Sequence, residues 1–558
     1  MKRNDMTLDR RSLLAASAAG ASALALGVSL PEQADAAANR YFQHGVASGD
    51  PHPRSVILWT RVTPTTAATP GSGRGPLVQI TWQIARDRRF SNVVSKGTFA
   101  TGPGRDHTVK LEATGLRPGT TYFYRFLYKG VASRTGRTRT APAYTSSPDN
   151  LRFGVVSCAN LQAGWFSAYR HLARRDDLDA VLHLGDYLYE YAPGEYGYGN
   201  ANEDIRKHAP AKEMVALGDY RKRHAQYKQD ADLQALHAKV PFIVTWDDHE
   251  VTNDEWKDGA ENHDPATEGS YAARKRRAHR AYDEWMPARM GETVALGDGT
   301  ALFRSLRFGT LADLSMLDLR SYRSEQVPVP IADGAVSDPS RTITGNGQMR
   351  WLKETLSEDR AQWRLIGNPV MIAPVVVPPL PNDLSSAVND VTGLLPEDGS
   401  PYNVDQWDGY TADRHELFAH LADHGVNNTV FLTGDIHSGW ACDLPLDAGT
   451  YPITKSVATE FVCTSVTSNN LKDITNTPSR TTSLAVEAGI QTTNRHIKYL
   501  NFDDHGYSVL DVTSKRTQMD YYVITDRRDP KATSAWTASW ATHADTQQVH
   551  AVDGPVGR

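Results

Sequence analysis

Leu151-Arg152-Phe153-Gly154-Val155-Val156-Ser157-Cys158-Ala159-Asn160, an amphipathic run, and then Asp179-Ala180-Val181-Leu182-His183-Leu184-Gly185-Asp186-Tyr187-Leu188-Tyr189-Glu190 form the stretch from which the fold is read. Leu151–Val156 and Ala180–Leu184 are apolar and β-branched enough for buried strands. Between them Phe166, Tyr169, Leu172 and Ala173 recur at helical spacing, so the unit is β-α-β with parallel, adjacent strands. Open α/β sheets bind at the carboxyl ends of their strands. Cys158, Asp186 and Tyr189 therefore emerge on one rim, close enough to share a metal ion.

Outward from this unit, strands continue to alternate with helices, and ligand types again follow strands. Val240–Trp246 runs into Asp247-Asp248-His249-Glu250, and Thr429–Thr433 runs into Gly434-Asp435-Ile436-His437. Tyr220–Lys239, Ala266–Met286 and Arg414–His424 read as helices. Leu311–Asp318, Trp363–Asn368, Glu460–Ser465, Gly506–Thr513 and Asp520–Ile524 read as strands. The run Arg274-Lys275-Arg276-Arg277 is expected to be a solvated helix face, and His183, inside its strand, a core residue. The proline-rich segment from Ala373 to Pro396 is a loop able to line the cleft.

Residues 40–145 differ in character, with short β-rich runs such as Ser55–Thr60, Val78–Ile84 and Thr121–Phe126 separated by turns. That pattern indicates an all-β sandwich of immunoglobulin or fibronectin type. At 558 residues and 40% hydrophobic content, two domains are expected: 40–145 and a catalytic domain over 151–545. A net charge of −5 supplies no basic footprint for nucleic acid.

Residues 1–36 read as an export signal. Lys2, Arg3, Arg10 and Arg11 precede a weakly apolar run from Leu13 to Leu30, and Ala34-Asp35-Ala36 is a small-x-small cleavage site. The Arg10-Arg11 pair followed by Ser12-Leu13-Leu14 looks like a twin-arginine signal, with a secretory signal or membrane anchor as the alternatives. The expectation is a protein exported by the twin-arginine translocase, soluble and extracellular. The sequence has three cysteines. Cys158 is expected to be unpaired, with Cys442 and Cys463 either bonded to one another or free and buried.

The clusters at Cys158, Asp186/Tyr189, Asp248/His249 and Asp435/His437 are weak singly and suggest a multimetal site together. A thiolate and a phenolate need a strong Lewis acid to form near neutral pH, which suits Fe(III) at Cys158 and Tyr189. Asp186 is placed to bridge. The oxygen donors Asp248, Asn253 and Asp435 favour Ca(II), Mg or Mn. Such a site activates hydroxide for in-line attack on phosphorus, with His249 as the catalytic residue that binds a phosphate oxygen or protonates the leaving group.

Gly185-Asp186-Tyr187-Leu188-Tyr189, Trp246–Glu250 and Gly434–His437 resemble the blocks of metallophosphoesterases related to purple acid phosphatases. Together with Ser157-Cys158, Leu317–Arg323 and Glu460–Ser465, the resemblance narrows to the PhoD-type alkaline phosphatases and phosphodiesterases. It implies an α/β metallophosphoesterase sandwich of mixed sheets flanked by helices, behind the N-terminal β domain. It also implies Fe(III) held by Cys158, Asp186, Tyr189 and His437, with calcium nearby. Asp435 stands where purple acid phosphatases place a histidine and Asp248 where they place an asparagine, both moving the second site toward oxygen ligation.

The resulting expectation is a secreted hydrolase of phosphomonoesters and phosphodiesters. The alternative is a phospholipase D that binds a phospholipid surface and releases phosphatidic acid, with Trp165, Phe166 and the proline-rich loop as its apolar rim. A phosphate- or iron-capturing protein is disfavoured by His249, since capture needs no leaving-group acid. Substrate choice is expected to lie in the loops at 191–215 and 373–410.

Overall fold

The expected β-α-β unit is present. In the computed structural model, which describes residues 40–290, 302–327, 334–358, 360–377, 381 and 400–557, β9 (Asn150–Val156) and β10 (Ala180–Leu184) pair in parallel across α1 (Ser167–Ala173), and β11 (Phe242–Thr245) adds in parallel beside β10. The expected signal at 1–36 lies outside the described residues, as do 378–380 and 382–396 of the proline-rich loop.

Two mixed sheets face one another. The first contains β9–β11, the strands β21 (Gly506–Thr513), β22 (Arg516–Ile524), β23 (Ser534–His543) and β24 (Val549–Ala551) on one side, and β1 (Val46–His52), β2 (Ser55–Arg61) and β5 (Thr108–Thr114) on the other. The second orders β12 (Arg304–Phe308), β13 (Ala312–Met316), β14 (Trp363–Asn368), β17 (Thr429–Thr433), β19 (Ser456–Val462), β18 (Gly439–Pro445) and β20 (Ile497–Asn501), while β15 (Val376–Val377) and β16 (Ser400–Pro401) form a separate pair. Phe153, Leu182 and Ile243 from the first meet Leu314, Leu365, Val430 and Phe461 from the second in a shared core. The outer faces are covered by helices: α2 (Leu217–Lys228), α3 (Ala231–Lys239) and α4 (Tyr271–Trp285) on one, and α5 (Asn346–Ser357) and α6 (Thr411–Asp423) on the other. Strands buried on both faces are the near-continuous apolar runs of the sequence.

The N-terminal β structure is a sandwich, but not a detached one. Its outer layer is β4 (Val93–Thr101), β3 (Val78–Ala85), β6 (Thr121–Tyr128), β7 (Val131–Ala132) and β8 (Gly136–Arg139). Its inner layer is β5-β2-β1, which β1 joins to β11 in parallel at Gly49↔Phe242. Ile80, Tyr124 and Phe126 pack on Val46, Val56 and Leu58 between the layers. Backbone hydrogen bonding thus crosses the expected boundary near 145–150, because an unpaired β1 edge would leave ladder groups exposed.

Two helix expectations change. The run from Tyr220 to Lys239 is two helices, because Asp230 breaks it and caps α3, accepting from Leu233 N at 2.9 Å. The basic run on α4 is only partly solvated. Arg274 is fully buried between Glu213 and Glu268, and Lys275 pairs with Glu255 at 3.0 Å, while Arg276 is exposed. Residues 274 and 275 share the inward stripe with Tyr271, Ala278 and Tyr282 at helical spacing. All three cysteines are free and buried, so Cys442 and Cys463 are not bonded to one another. Among the described residues no helix is long and apolar enough to cross a membrane.

A basic core lies where the N-terminal strands meet α2 and α4. Lys228 is fully buried, donating to Tyr187 Oη at 2.7 Å, with His237 Nε2 at 3.0 Å. His44 and His224 have no partner on either ring nitrogen. Burial, with Lys228 adding, holds His224, His237 and His183 low, His183 at about 3; burial, Arg61 and Lys228 do the same for His44. Folded pKa values below the unfolded 6.5 mean that the unfolded chain binds more protons under that pH. The stabilisation is full above pH 6.5 and is lost as pH falls toward the folded values, at up to ~1.4 kcal/mol per pH unit for each histidine. Urea unfolding midpoints are expected to fall between pH 7 and 5, with a smaller pH slope in His224→Phe; equal slopes would refute this assignment.

Candidate metal centre and active site

Cys158, Asp186, Asp435 and His437 all follow strand ends and all have left-handed backbones, with φ of 57°, 53°, 61° and 53°. Such conformations are unfavourable for residues with a Cβ and gather where surrounding structure enforces them. The enforcing element here is close approach of the two sheets. Ser157 bridges in parallel to Ser465, joining the end of β9 to the segment after β19. A Cβ on Gly434 would stand 2.8 Å from that of Ser157, and Gly185, at φ +103°, would meet the Asp247 Cβ at 2.6 Å. Glycine ahead of each aspartate is therefore what lets three turns converge.

Two groups of ligand atoms result, each with all its atoms within 4.8 Å of one another: Cys158, Asp186 and His437, and Asp186, Asp248 and His249. Asp186 belongs to both. Tyr189 joins the first, donating to Asp186 Oδ2 at 2.7 Å with its oxygen 3.4 Å from His437 Nε2. His437 Nδ1 faces the Asn469 carbonyl at 2.7 Å; donation there turns the Nε2 lone pair inward. Asp435 and His437 line a cavity of about 1140 Å³, which thus reaches the first group at His437. Asn253 donates its side-chain N–H to Glu261 at 2.8 Å and its backbone N–H to Glu190 at 2.8 Å, which leaves its Oδ1 as the oxygen able to meet a cation.

The electrostatics are those of a cation site. Burial raises the pKa of Cys158, Tyr189 and Asp186, the first two raised further by Asp186 and the last by Asp248 and Asp247 against the opposing pull of His249. Burial and Asp247 likewise raise Asp435. Asp186 Oδ1 is buried with no hydrogen-bond partner, an expensive arrangement unless something else satisfies it. Soft, phenolic and carboxylate donors around one point fit a metal that holds them as anions.

Several contributors carried no readable pattern. Glu190, fully buried, meets His249 Nδ1 at 2.8 Å and accepts from Asn253 N. Burial alone would lower the pKa of His249, but Asp248, Asp186 and Glu190 outweigh it and raise it. The His249 ring also lies 4.1 Å from that of Tyr189. Glu250 accepts from the backbone N–H groups of Asp186, Tyr187 and Asp247, tying the second and third strand ends together. Arg320, fully buried, donates to both Asp247 oxygens and to Asp405 at 2.8 Å, and lies 3.8 Å from Asp248 and 3.5 Å from Asp435. Glu190, Asp247, Glu250 and Arg320 lie beside or within the motifs. Asp405 sits in a loop of no distinctive pattern, and only the folded chain brings it in.

Comparisons with known proteins identify the family of the whole chain. The PhoD-like phosphatase family description matches residues 153–521, and that of the PhoD-like phosphatase N-terminal domain matches 28–142. Alkaline phosphatase D of Bacillus subtilis (strain 168) is 35% identical over 554 residues, covering 97% of this chain and 88% of that protein. A solved structure of PhoD superposes with a TM-score of 0.80 at 34% identity over 93% of each chain. The protein is thus an enzyme, a phosphoric ester hydrolase of alkaline phosphatase type with a phosphoester as substrate. It belongs to the PhoD-like phosphatase family.

Proposed function

We propose that the chain hydrolyses phosphomonoesters and phosphodiesters at a two-part metal centre, set in the metallophosphoesterase sandwich formed by its two facing sheets. Fe(III) is assigned to Cys158, Asp186, Tyr189 and His437, and Ca(II), with Mg or Mn as substitutes, to Asp186, Asp248 and Asp435. Asn253 Oδ1 is kept as a further oxygen donor for the second metal. The observation that carries the reading is the convergence of a thiol, a phenol, a carboxyl and an imidazole from separate strand ends around Asp186, which also belongs to the second group.

When bound, the metals supply Lewis acidity toward the phosphoryl oxygens and lower the pKa of a coordinated water. The protein's own groups do the rest. Glu190 holds His249 through Nδ1, so its Nε2 proton is available to a phosphoryl oxygen or to the leaving alkoxide. Arg320 favours the ionised form of the surrounding carboxylates and holds Asp247 and Asp405 in place. The ring of Tyr196 stacks on His249 at 6.2 Å and that of Tyr191 meets it tilted at 5.5 Å, giving the imidazole an aromatic flank.

Export by the twin-arginine translocase and an extracellular site of action complete the proposal. A lipid rim finds less support: Phe166 is fully buried, and Trp165 lies under Arg206 at 4.8 Å.

Elemental analysis of the natively exported protein, with turnover on 4-nitrophenyl phosphate, bis(4-nitrophenyl) phosphate and phosphatidylcholine, tests the reading. Iron with calcium and turnover of the two soluble esters is the expected result; strong preference for phosphatidylcholine would move the assignment to a phospholipase D, and absence of metal would undo the centre. Thiolate and phenolate donors to Fe(III) absorb visible light, so Cys158→Ala is expected to change the colour of the purified protein. A fully active but colourless wild type would exclude iron.

A further inference from the structure

The loop that opens at Tyr191 is tied to the segment that orients a metal ligand. Asn469, whose backbone carbonyl faces His437 Nδ1 at 2.7 Å, donates its side-chain amide to the Gly197 carbonyl at 2.9 Å and accepts from Gly199 N at 2.9 Å. Arg527 donates to the same Asn469 Oδ1 at 2.6 Å and lies 4.5 Å from the Tyr198 ring. Asn160 holds the Tyr196 carbonyl at 2.6 Å. The backbone at and beyond Tyr196 is thus braced against the floor of the metal centre.

What the bracing presents is the Tyr196 side chain. Its ring stacks on Tyr189 at 5.7 Å and on His249 at 6.2 Å, the first a partner of Asp186 and the second a member of the other ligand group. Among the described residues its hydroxyl has no hydrogen-bond partner, and the residue is partly exposed. The Tyr189 phenol, by contrast, is spent on Asp186. Burial raises the pKa of Tyr196, and Asp186, Cys158 and Asp435 raise it further against the pull of Arg527. The group is a neutral O–H donor set among the residues of the centre, with its proton uncommitted.

We propose that Tyr196 is a further catalytic residue, its hydroxyl donating a hydrogen bond to a non-bridging phosphoryl oxygen of the ester as negative charge gathers there. The proposal rests on the phosphoesterase reading. A donor held in place before the reaction stabilises the transition state without transferring its proton. The His249 proton is then left for the departing alkoxide.

Tyr196→Phe keeps the ring and its stacking and removes only the donor. It is expected to lower kcat/KM ~10- to 100-fold on methyl 4-nitrophenyl phosphate and equally on methyl phenyl phosphate, the scale of one hydrogen bond to a charged oxygen. Inhibition by vanadate, which mimics the transferring phosphoryl group, is expected to weaken by a similar factor. Metal content, visible absorption and the urea midpoint should stay at wild-type values, because this hydroxyl bonds nothing in the fold. Wild-type turnover and vanadate inhibition in Tyr196→Phe would overturn the proposal. So would a loss confined to methyl phenyl phosphate, the ester with the poorer leaving group, since the donor would then serve the leaving oxygen. Altered metal content would overturn it as well, by showing that the hydroxyl acts through the centre. A wild type that cleaves neither ester would instead overturn the hydrolase reading beneath it.

Discussion

Asp186→Ala is expected to lower kcat/KM on bis(4-nitrophenyl) phosphate by at least ~10³-fold, the scale of losing a major transition-state electrostatic contact, and to strip metal from both parts of the centre. Asp186 belongs to both ligand groups; every other residue of the groups serves one. Its Oδ2 accepts from Tyr189 and its Oδ1 has no protein partner. The fold, by contrast, gains little from this carboxylate. Burial, Asp248 and Asp247 all oppose its ionisation, with His249 alone among the named charges favouring it. Two measurements should therefore separate. In chelator, the urea midpoint of Asp186→Ala is expected to equal or exceed that of the wild type, because a poorly compensated buried charge has gone. In the metal-loaded proteins the order is reversed, since binding to the folded state adds stability by mass action. Full turnover with unchanged metal content would refute the bridging role.

Much of this centre was legible because its ligands come from regular elements. β9, β10, β11 and β17 are apolar runs closed by Gly-Asp, Ser-Cys or Asp-His turns, and parallel topology sends their ends to one rim. His183 read as a core residue for the same reason, and it is buried against the Tyr169 hydroxyl at 2.9 Å. What escaped was set by tertiary closure. No local pattern says that β1 will complete a sheet with β11, since Val46-Ala47-Ser48-Gly49-Asp50 carries neither an apolar run nor an alternation. Arg274 and Arg320 look like surface cations until Glu213, Glu268, Asp247 and Asp405 arrive from distant segments. Strands β18, β20, β23 and β24 were also unforeseen. The half-exposed pattern of β23, where Ala535, Trp536 and Thr537 face outward, lacks the apolar run that marked the others.

The second large effect is expected at Arg320. Replacing it with methionine, of similar reach and no charge, is expected to lower unfolding stability by ~3–5 kcal/mol, the range for removing one partner from a buried ion pair. The guanidinium lies among four carboxylates. It bonds Asp247 through Nε and Nη2 and Asp405 through Nη1, with Asp248 and Asp435 within 3.8 Å. Burial raises Asp247 even with Arg320 opposing it, whereas Asp405 overcomes the same penalty through Arg320 and Arg323 and is held very low. Without Arg320 the cluster keeps its mutual repulsion and loses the cation that faces every member. Arg320→Lys restores charge at a single point but not the fork that spans Asp247 and Asp405, so it should recover only part of the loss. Added calcium should rescue Arg320→Met more than the wild type, because Asp435 then depends on the metal for neutralisation and Asp248 on the metal and His249. Equal calcium responses in both proteins would show that Arg320 braces the loops without sharing the charge of the metal centre.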